Sequence, residues 1–226
     1  MRIHPIVPAL LLCSSSGAWA DPCKPAVVKE ATPAEIRAFF DGRGMRTVTF
    51  MGFSGAEYEQ PASMLSLAEK ALAKYAPPKT IVLIGATREG VGAVYDLAKS
   101  KGFTTAGIVS SQARVNKVPF SPCVDHVFVV EDATWGGVDP KTKRLSPTSA
   151  AMVENSDVLV AIGGGDIARD ELTAARRAGK PIEFHSADMN HGIALARAKK
   201  RGEPAPTDFS GSAAAVFGKR SGSGRT

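Results

Sequence analysis

The chain has 226 residues, 44% of them hydrophobic and 22% charged, with 22 glycines, three cysteines and a formal net charge of +6. This is ordinary globular composition for one domain of moderate size, and it excludes a disordered or membrane-embedded chain. Part of the positive excess sits near the C-terminus, where Lys199, Lys200, Arg201, Lys219, Arg220 and Arg225 lie among Gly, Ser and Pro.

Residues 1–20 have the layout of a secretory signal peptide. Arg2 and His4 precede an apolar run, Ile6 to Leu12, and Ala18-Trp19-Ala20 supplies an A-x-A cleavage pattern after Ala20. A lipoprotein signal needs a small residue before Cys13, and Leu12 stands there. No later stretch is long and apolar enough to span a bilayer. The mature protein is therefore expected to be exported, most simply to a bacterial periplasm. It retains Cys23 and Cys123, which in an oxidising compartment form either a disulfide or two free thiols. The four histidines are scattered and no Cys/His cluster has metal-ligand spacing, so neither a metal nor a cofactor is expected.

Residues 21–45 comprise an irregular lead and one helix. Thr32-Pro33-Ala34-Glu35 gives an N-cap, a proline at the first helical position and a glutamate at the third. That helix runs to about Asp41 and stops at Gly42-Arg43-Gly44. Residues 46–201 then alternate strands with helices. Strands are expected at Arg46–Met51, Thr80–Ile84, Thr104–Val109, His126–Val130, Val158–Ile162 and Pro181–Phe184. Helices begin at Pro61, after Gly92, at Ser146-Pro147, after Gly165 and at His191. The expected fold is α/β, a Rossmann-like parallel sheet of about six strands with helices on both faces. Residues 202–226 are expected as a disordered basic Gly/Ser-rich tail. Lacking aromatic interleaving and any DNA- or RNA-binding motif, it implies no specific nucleic-acid partner.

Ligands of such sheets bind outside the carboxyl ends of the strands, where the strand order reverses. Three glycine-containing turns fall on that edge. They are Gly52-Phe53-Ser54-Gly55, the stretch Gly85 to Gly92 with Thr87, Arg88 and Gly90, and Gly163-Gly164-Gly165. The second has G-x-x-x-x-G spacing, yet Val91-Gly92 replaces the Lys-Ser/Thr of a P-loop and excludes Walker chemistry. The third opens a helix and makes an anion site at a helix N-terminus. A long connection, Glu131 to Pro147, carries Trp135-Gly136-Gly137 and has the length of a lid or binding loop.

The helix after Gly165 holds an acid in an odd place. Helical spacing puts Glu171 near the centre of the apolar face formed by Ile167, Leu172, Ala174 and Ala178. A carboxylate there is either hydrogen-bonded locally or borders a ligand cleft, because an unpaired buried charge is costly. Asp166 reads as the helix N-cap or a ligand contact, and Asp170 as a surface acid or an accessory catalytic group.

These residues resemble the LOG (Lonely Guy) phosphoribohydrolases and, more broadly, the SLOG nucleotide-binding superfamily that includes DprA-type proteins. The resemblance spans about Thr47 to Phe184. It is carried by Phe50-Met51-Gly52-Phe53-Ser54-Gly55, by Gly90-Val91-Gly92-Ala93-Val94, and by Met152 to Asp157 leading into the Gly163 turn. Against the family's P-G-G-x-G-T-x-x-E, Gly164 and Gly165 match the paired glycines and Glu171 the final acid. Gly163 stands for the proline, and Ile167-Ala168 for Gly-Thr. The family's Arg-Lys pair in the preceding helix is replaced by Thr148 and Ser149, and the nearest cation is Arg144.

The resemblance implies a homodimer with a nucleoside monophosphate at the strand ends. Two readings follow. In one, the protein binds a nucleotide or related phosphorylated molecule with Gly52, Ser54, Gly55, Thr87, Arg88, Gly90, Gly92, Gly163, Gly164, Gly165 and Asp166, Glu171 gripping a ribose hydroxyl and Trp135 stacking on a base. In the other, it hydrolyses an N-glycosidic bond with Glu171, helped by Asp170 or Asp166, while Arg88, Arg114 or Arg144 holds the phosphate.

Overall fold

A computed structural model describes Cys23 and residues 27–218. The expected signal peptide, with Cys13 and the cleavage site, lies outside the described residues. The elements follow in chain order as β1 (Val27–Glu30), α1 (Pro33–Arg43), β2 (Arg46–Gly52), α2 (Pro61–Leu72), β3 (Thr80–Ile84), α3 (Ala93–Ser100), β4 (Thr104–Ser110), a single turn α4 (Gln112–Val115), β5 (His126–Val130), α5 (Pro147–Glu154), β6 (Val158–Ile162), α6 (Asp166–Arg177), β7 (Ile182–His185), α7 (His191–Arg201) and α8 (Ser212–Phe217). All strands are parallel, in the order β1-β5-β4-β3-β2-β6-β7. The fold is a Rossmann-like α/β sheet, and its strand order reverses between β2 and β6.

Local sequence explains the main boundaries. The Thr32 side chain accepts from the Glu35 amide while Glu35 accepts from the Thr32 N–H at 2.9 Å, a reciprocal cap, and Gly44 ends α1 at φ 58°. The central strands are buried on both sides, which is why β3 and β6 are continuous apolar runs with no alternation. One face packs Phe50, Ile84 and Val160 under Met64 and Leu72 of α2 and Tyr95 of α3. The other packs Met51, Leu83 and Leu159 under Ile36 of α1, Met152 of α5 and Leu172 of α6.

Two expectations are corrected. The sheet has seven strands where about six were expected, because Val27–Glu30, expected as irregular lead, adds to the β5 edge. All four of its residues are exposed, so no buried face shaped its sequence; main-chain pairing holds it. Cys23 and Cys123 form a disulfide with Cα atoms 4.3 Å apart, just ahead of the paired strands β1 and β5. The second correction concerns residues 202–218, expected as disordered tail. They return over the molecule: the Met189 amide donates to the Phe209 carbonyl at 2.8 Å, and α8 lies on α6 and β7. Ala213 is fully buried, and Phe217 sits against Phe184 and beneath the Arg176 guanidinium. Small residues serve close packing here, Ala213 being buried and Gly211 pressed against Gly164 and Phe53. Among the described residues no helix is long and apolar enough to cross a membrane.

Candidate functional site

The turns after β2, β3 and β6 meet at the carboxyl edge, each held by a hydroxyl or amide from elsewhere. The Tyr58 hydroxyl donates to the Ile162 carbonyl at 2.7 Å and accepts from the Phe53 amide at 3.2 Å, tying the end of β2 to the end of β6. Gly52 permits this, because a Cβ there would collide with the Tyr58 hydroxyl. Burial pushes the Tyr58 phenol well above its ordinary range, so it remains a donor at any physiological pH. Tyr95 does the same for the β3 turn, donating to the Ala106 carbonyl and accepting from the Ala86 amide. Replacing Tyr58 with Phe strands the Phe53 amide and the Ile162 carbonyl, and is expected to cost about 1–3 kcal/mol in urea unfolding. A loss below a few tenths of a kcal/mol would mean that water replaces the hydroxyl.

The β2 and β3 turns also bond directly, the Val91 amide donating to the Phe53 carbonyl at 2.7 Å. Gly90 has φ 59°, and a Cβ on it would press into the Phe53 and Ser54 carbonyls. Gly92 is buried against the Thr87 backbone. Both glycines are thus needed for packing between turns rather than to admit a ligand. On these two turns Ser54 and Arg88 are exposed, and Gly55 and Thr87 are partly buried.

A cation missing from the sequence reading joins them. Arg197 of α7 reaches back 142 positions to donate to the Gly55 carbonyl at 2.5 Å. No spacing rule links α7 to the β2 turn; only the fold does. Arg114 and Arg144 lie elsewhere: Arg114 pairs with Glu30 at 3.1 Å, and Arg144 is exposed on the long loop.

At β6 the chain turns through Gly163 (φ 60°) and Gly164 (φ 129°) into α6. The N-cap is Gly165, with no side-chain cap bond, so the expectation that Asp166 caps the helix is corrected. Asp166 is the first helical residue, bonded to Arg169 at 2.8 Å. The α6 amides therefore keep their anion-attracting character. Gly163 and Gly164 are nevertheless buried. Gly163 lies under the Phe53 ring and Gly164 against Ala213, whose amide donates to the Gly164 carbonyl at 3.1 Å.

Glu171 is 7% exposed and has a partner that the sequence reading missed. Ser149 Oγ donates to Glu171 Oε1 at 2.6 Å and accepts from the Gly137 amide at 2.7 Å. Burial raises the Glu171 carboxyl to about 7, Asp170 adds to the shift, and the Ser149 bond opposes it. Asp170 accepts from the Val138 amide at 2.9 Å and from Arg169 at 2.8 Å. Both acids thus clasp the long connection onto α6. Asp132 holds its beginning: burial works to raise this carboxyl, but the Thr148 and Thr134 amides outweigh it and keep it below the usual range. Trp135 stands on this clasped loop 49% exposed, next to Gly136, which packs on Ile167 in the first turn of α6. Thr148, where the resemblance expected a cation, is buried with its hydroxyl unpartnered.

Among the described residues, the metal-ligating atoms that cluster belong to Cys23, Asp96 and Cys123, and the disulfide takes both sulfurs.

No family model matches the chain, and no curated protein matches it. It is similar to solved structures. One is the X-ray structure of TM1055, 24% identical, covering 61% of this chain and 72% of that one, with a TM-score of 0.43. Two are of the Moco carrier protein from Chlamydomonas reinhardtii. The first is 21% identical over 70% of this chain and 85% of that one, with a TM-score of 0.45. The second is 22% identical over 69% and 97%, with a TM-score of 0.44.

Proposed function

We propose that the chain is an exported, LOG-like protein that binds a nucleoside monophosphate or a related phosphorylated small molecule at its strand ends. The observation that carries this reading is the convergence, where the strand order reverses, of the β2 and β3 turns with the uncapped start of α6. Arg197 brings positive charge to the β2 turn and Arg88 stands exposed on the β3 turn, while Trp135 offers an exposed aromatic surface on the loop clasped to α6. The disulfide suits an oxidising compartment such as the periplasm.

The test is thermal unfolding of the mature chain with millimolar AMP, GMP, CMP and UMP. Ligand at a hundred times its Kd adds about 2.7 kcal/mol, a readily measured rise in Tm. Arg197→Ala is expected to weaken the response about tenfold. No stabilisation by any of the four would overturn the reading.

Hydrolysis of the N-glycosidic bond is the second reading, and one observation favours it. Glu171, raised to about 7, keeps a substantial protonated fraction at neutral pH and would serve as a general acid for a ligand that reached it. Base release from a nucleotide, abolished by Glu171→Gln, would establish it; stabilisation without release assigns the protein to binding alone.

A further inference from the structure

The crevice between the β2 and β6 turns is filled by the chain's own C-terminal segment. Gly211 approaches so closely that a Cβ there would stand 2.5 Å from the Gly164 carbonyl and 2.8 Å from the Phe53 ring. Ala213 is fully buried against Gly164, and a Cβ on Gly164 would lie 3.5 Å from Ala213 and 3.7 Å from Gly52. Gly52, Phe53, Gly164 and residues 211–213 therefore occupy one contiguous space. A phosphorylated ligand seated on Gly52 and Gly164 needs the same space.

We propose that residues 207–218 form a displaceable strap that closes this crevice and competes with the ligand for it. The inference rests on the binding reading above. The strap is held at three places. At the crevice the Ala213 amide bonds to the Gly164 carbonyl. On one side Phe209 stacks on His191 with ring centroids 3.9 Å apart. On the other Phe217 lies against Phe184 and under Arg176, 4.6 Å from the ring centroid. Between these anchors the closure is incomplete, because the Ser212 hydroxyl is buried without a partner. An unmatched buried hydroxyl favours the state in which water reaches it, so it weakens the hold of the crevice and leaves closure dependent on the flanking aromatics as well as on the Ala213–Gly164 bond. Short α8, six residues long, adds little helical stability of its own.

A ligand that binds only the open form has its affinity reduced by the fraction of chain that is closed. Two substitutions in the full mature chain open the strap by different means. Gly211→Ala adds a methyl where there is no room, at φ 76°. Phe217→Ala removes an anchor remote from the crevice. Both are expected to bind AMP at least tenfold more tightly than the unaltered chain by calorimetry. A Ser212→Cys reporter, isosteric with the buried hydroxyl and the single free thiol once the disulfide has formed, is expected to react slowly with maleimide alone and at least tenfold faster with saturating AMP.

If the unaltered chain and both variants bind AMP equally and the reporter stays protected in the complex, the strap proposal is overturned and the binding site stands. If none of the three binds any nucleoside monophosphate, the site reading fails and the strap falls with it. Phe217→Ala retains the test should Gly211→Ala not fold, since its change lies outside the crevice.

Discussion

Glu171→Gln is expected to flatten the pH dependence of stability between pH 4.5 and 7. The carboxyl titrates at 4.5 in an unperturbed setting and at about 7 in the folded protein, chiefly because it is buried. Across that interval the native state keeps a proton that the unfolded chain has released. The contribution is therefore fully present below pH 4.5, declines as pH rises, and is lost above about 7. A difference of about 2.5 pKa units corresponds to roughly 3 kcal/mol. The glutamine cannot ionise and still accepts from Ser149, so its stability should change little over the interval through this site. Urea unfolding at several pH values, comparing the two chains, isolates the term because every other titrating group is shared. Parallel curves would mean that Glu171 is ionised in the folded state and that a cation or water reaches it. The same result would remove the physical basis for its use as a neutral-pH acid.

The frame of the molecule was legible because burial on both faces leaves an unmistakable trace. Val158–Ile162 and Thr80–Ile84 could be placed from apolar runs bounded by glycine, and the turns that follow them were found as glycine clusters. The reason for each glycine was less legible. Gly90 and Gly92 are small because backbone from a neighbouring turn presses on them, and that neighbour is set by tertiary contact. Glu171 was recognised as anomalous by helical spacing, but its partner Ser149 lies 22 residues away, and a hydroxyl carries no periodic signal. At Thr148 and Ser149, where the resemblance implied two cations, the Ser149 hydroxyl joins Glu171 to the Gly137 amide and the Thr148 amide holds Asp132, so the two residues fasten the long loop. Val27–Glu30 and residues 207–218 escaped for a common reason. The first joins the sheet through backbone alone, and the second is mostly Gly, Ser and Ala with two isolated aromatics, Phe209 and Phe217, that make no periodic pattern.

Removing the Cys23–Cys123 bond is expected to have the largest effect on stability of any single covalent change. The bond spans 100 residues, and the loop-entropy model puts the stabilisation from closing such a loop at about 4–5 kcal/mol at most. Its placement decides where that loss is felt. Cys23 stands just before β1 and Cys123 just before β5, and the two strands pair from Val27 with His126 to Glu30 with Val129. Because β1 buries none of its side chains, the tether and the main-chain bonds are what keep it on the sheet. The Cys23→Ala/Cys123→Ala chain, or the natural chain in reductant, should therefore unfold at lower urea. Before global unfolding it should lose hydrogen-exchange protection at the Ala31 amide, which donates to the Val129 carbonyl. The β6 amides, on the far side of the sheet, should keep theirs until the whole domain opens. A loss below about 0.5 kcal/mol, with Ala31 still protected, would show that β1 docks without its tether. A loss of the expected size ties full stability to an oxidising compartment, because a chain kept reduced would begin several kcal/mol closer to unfolding.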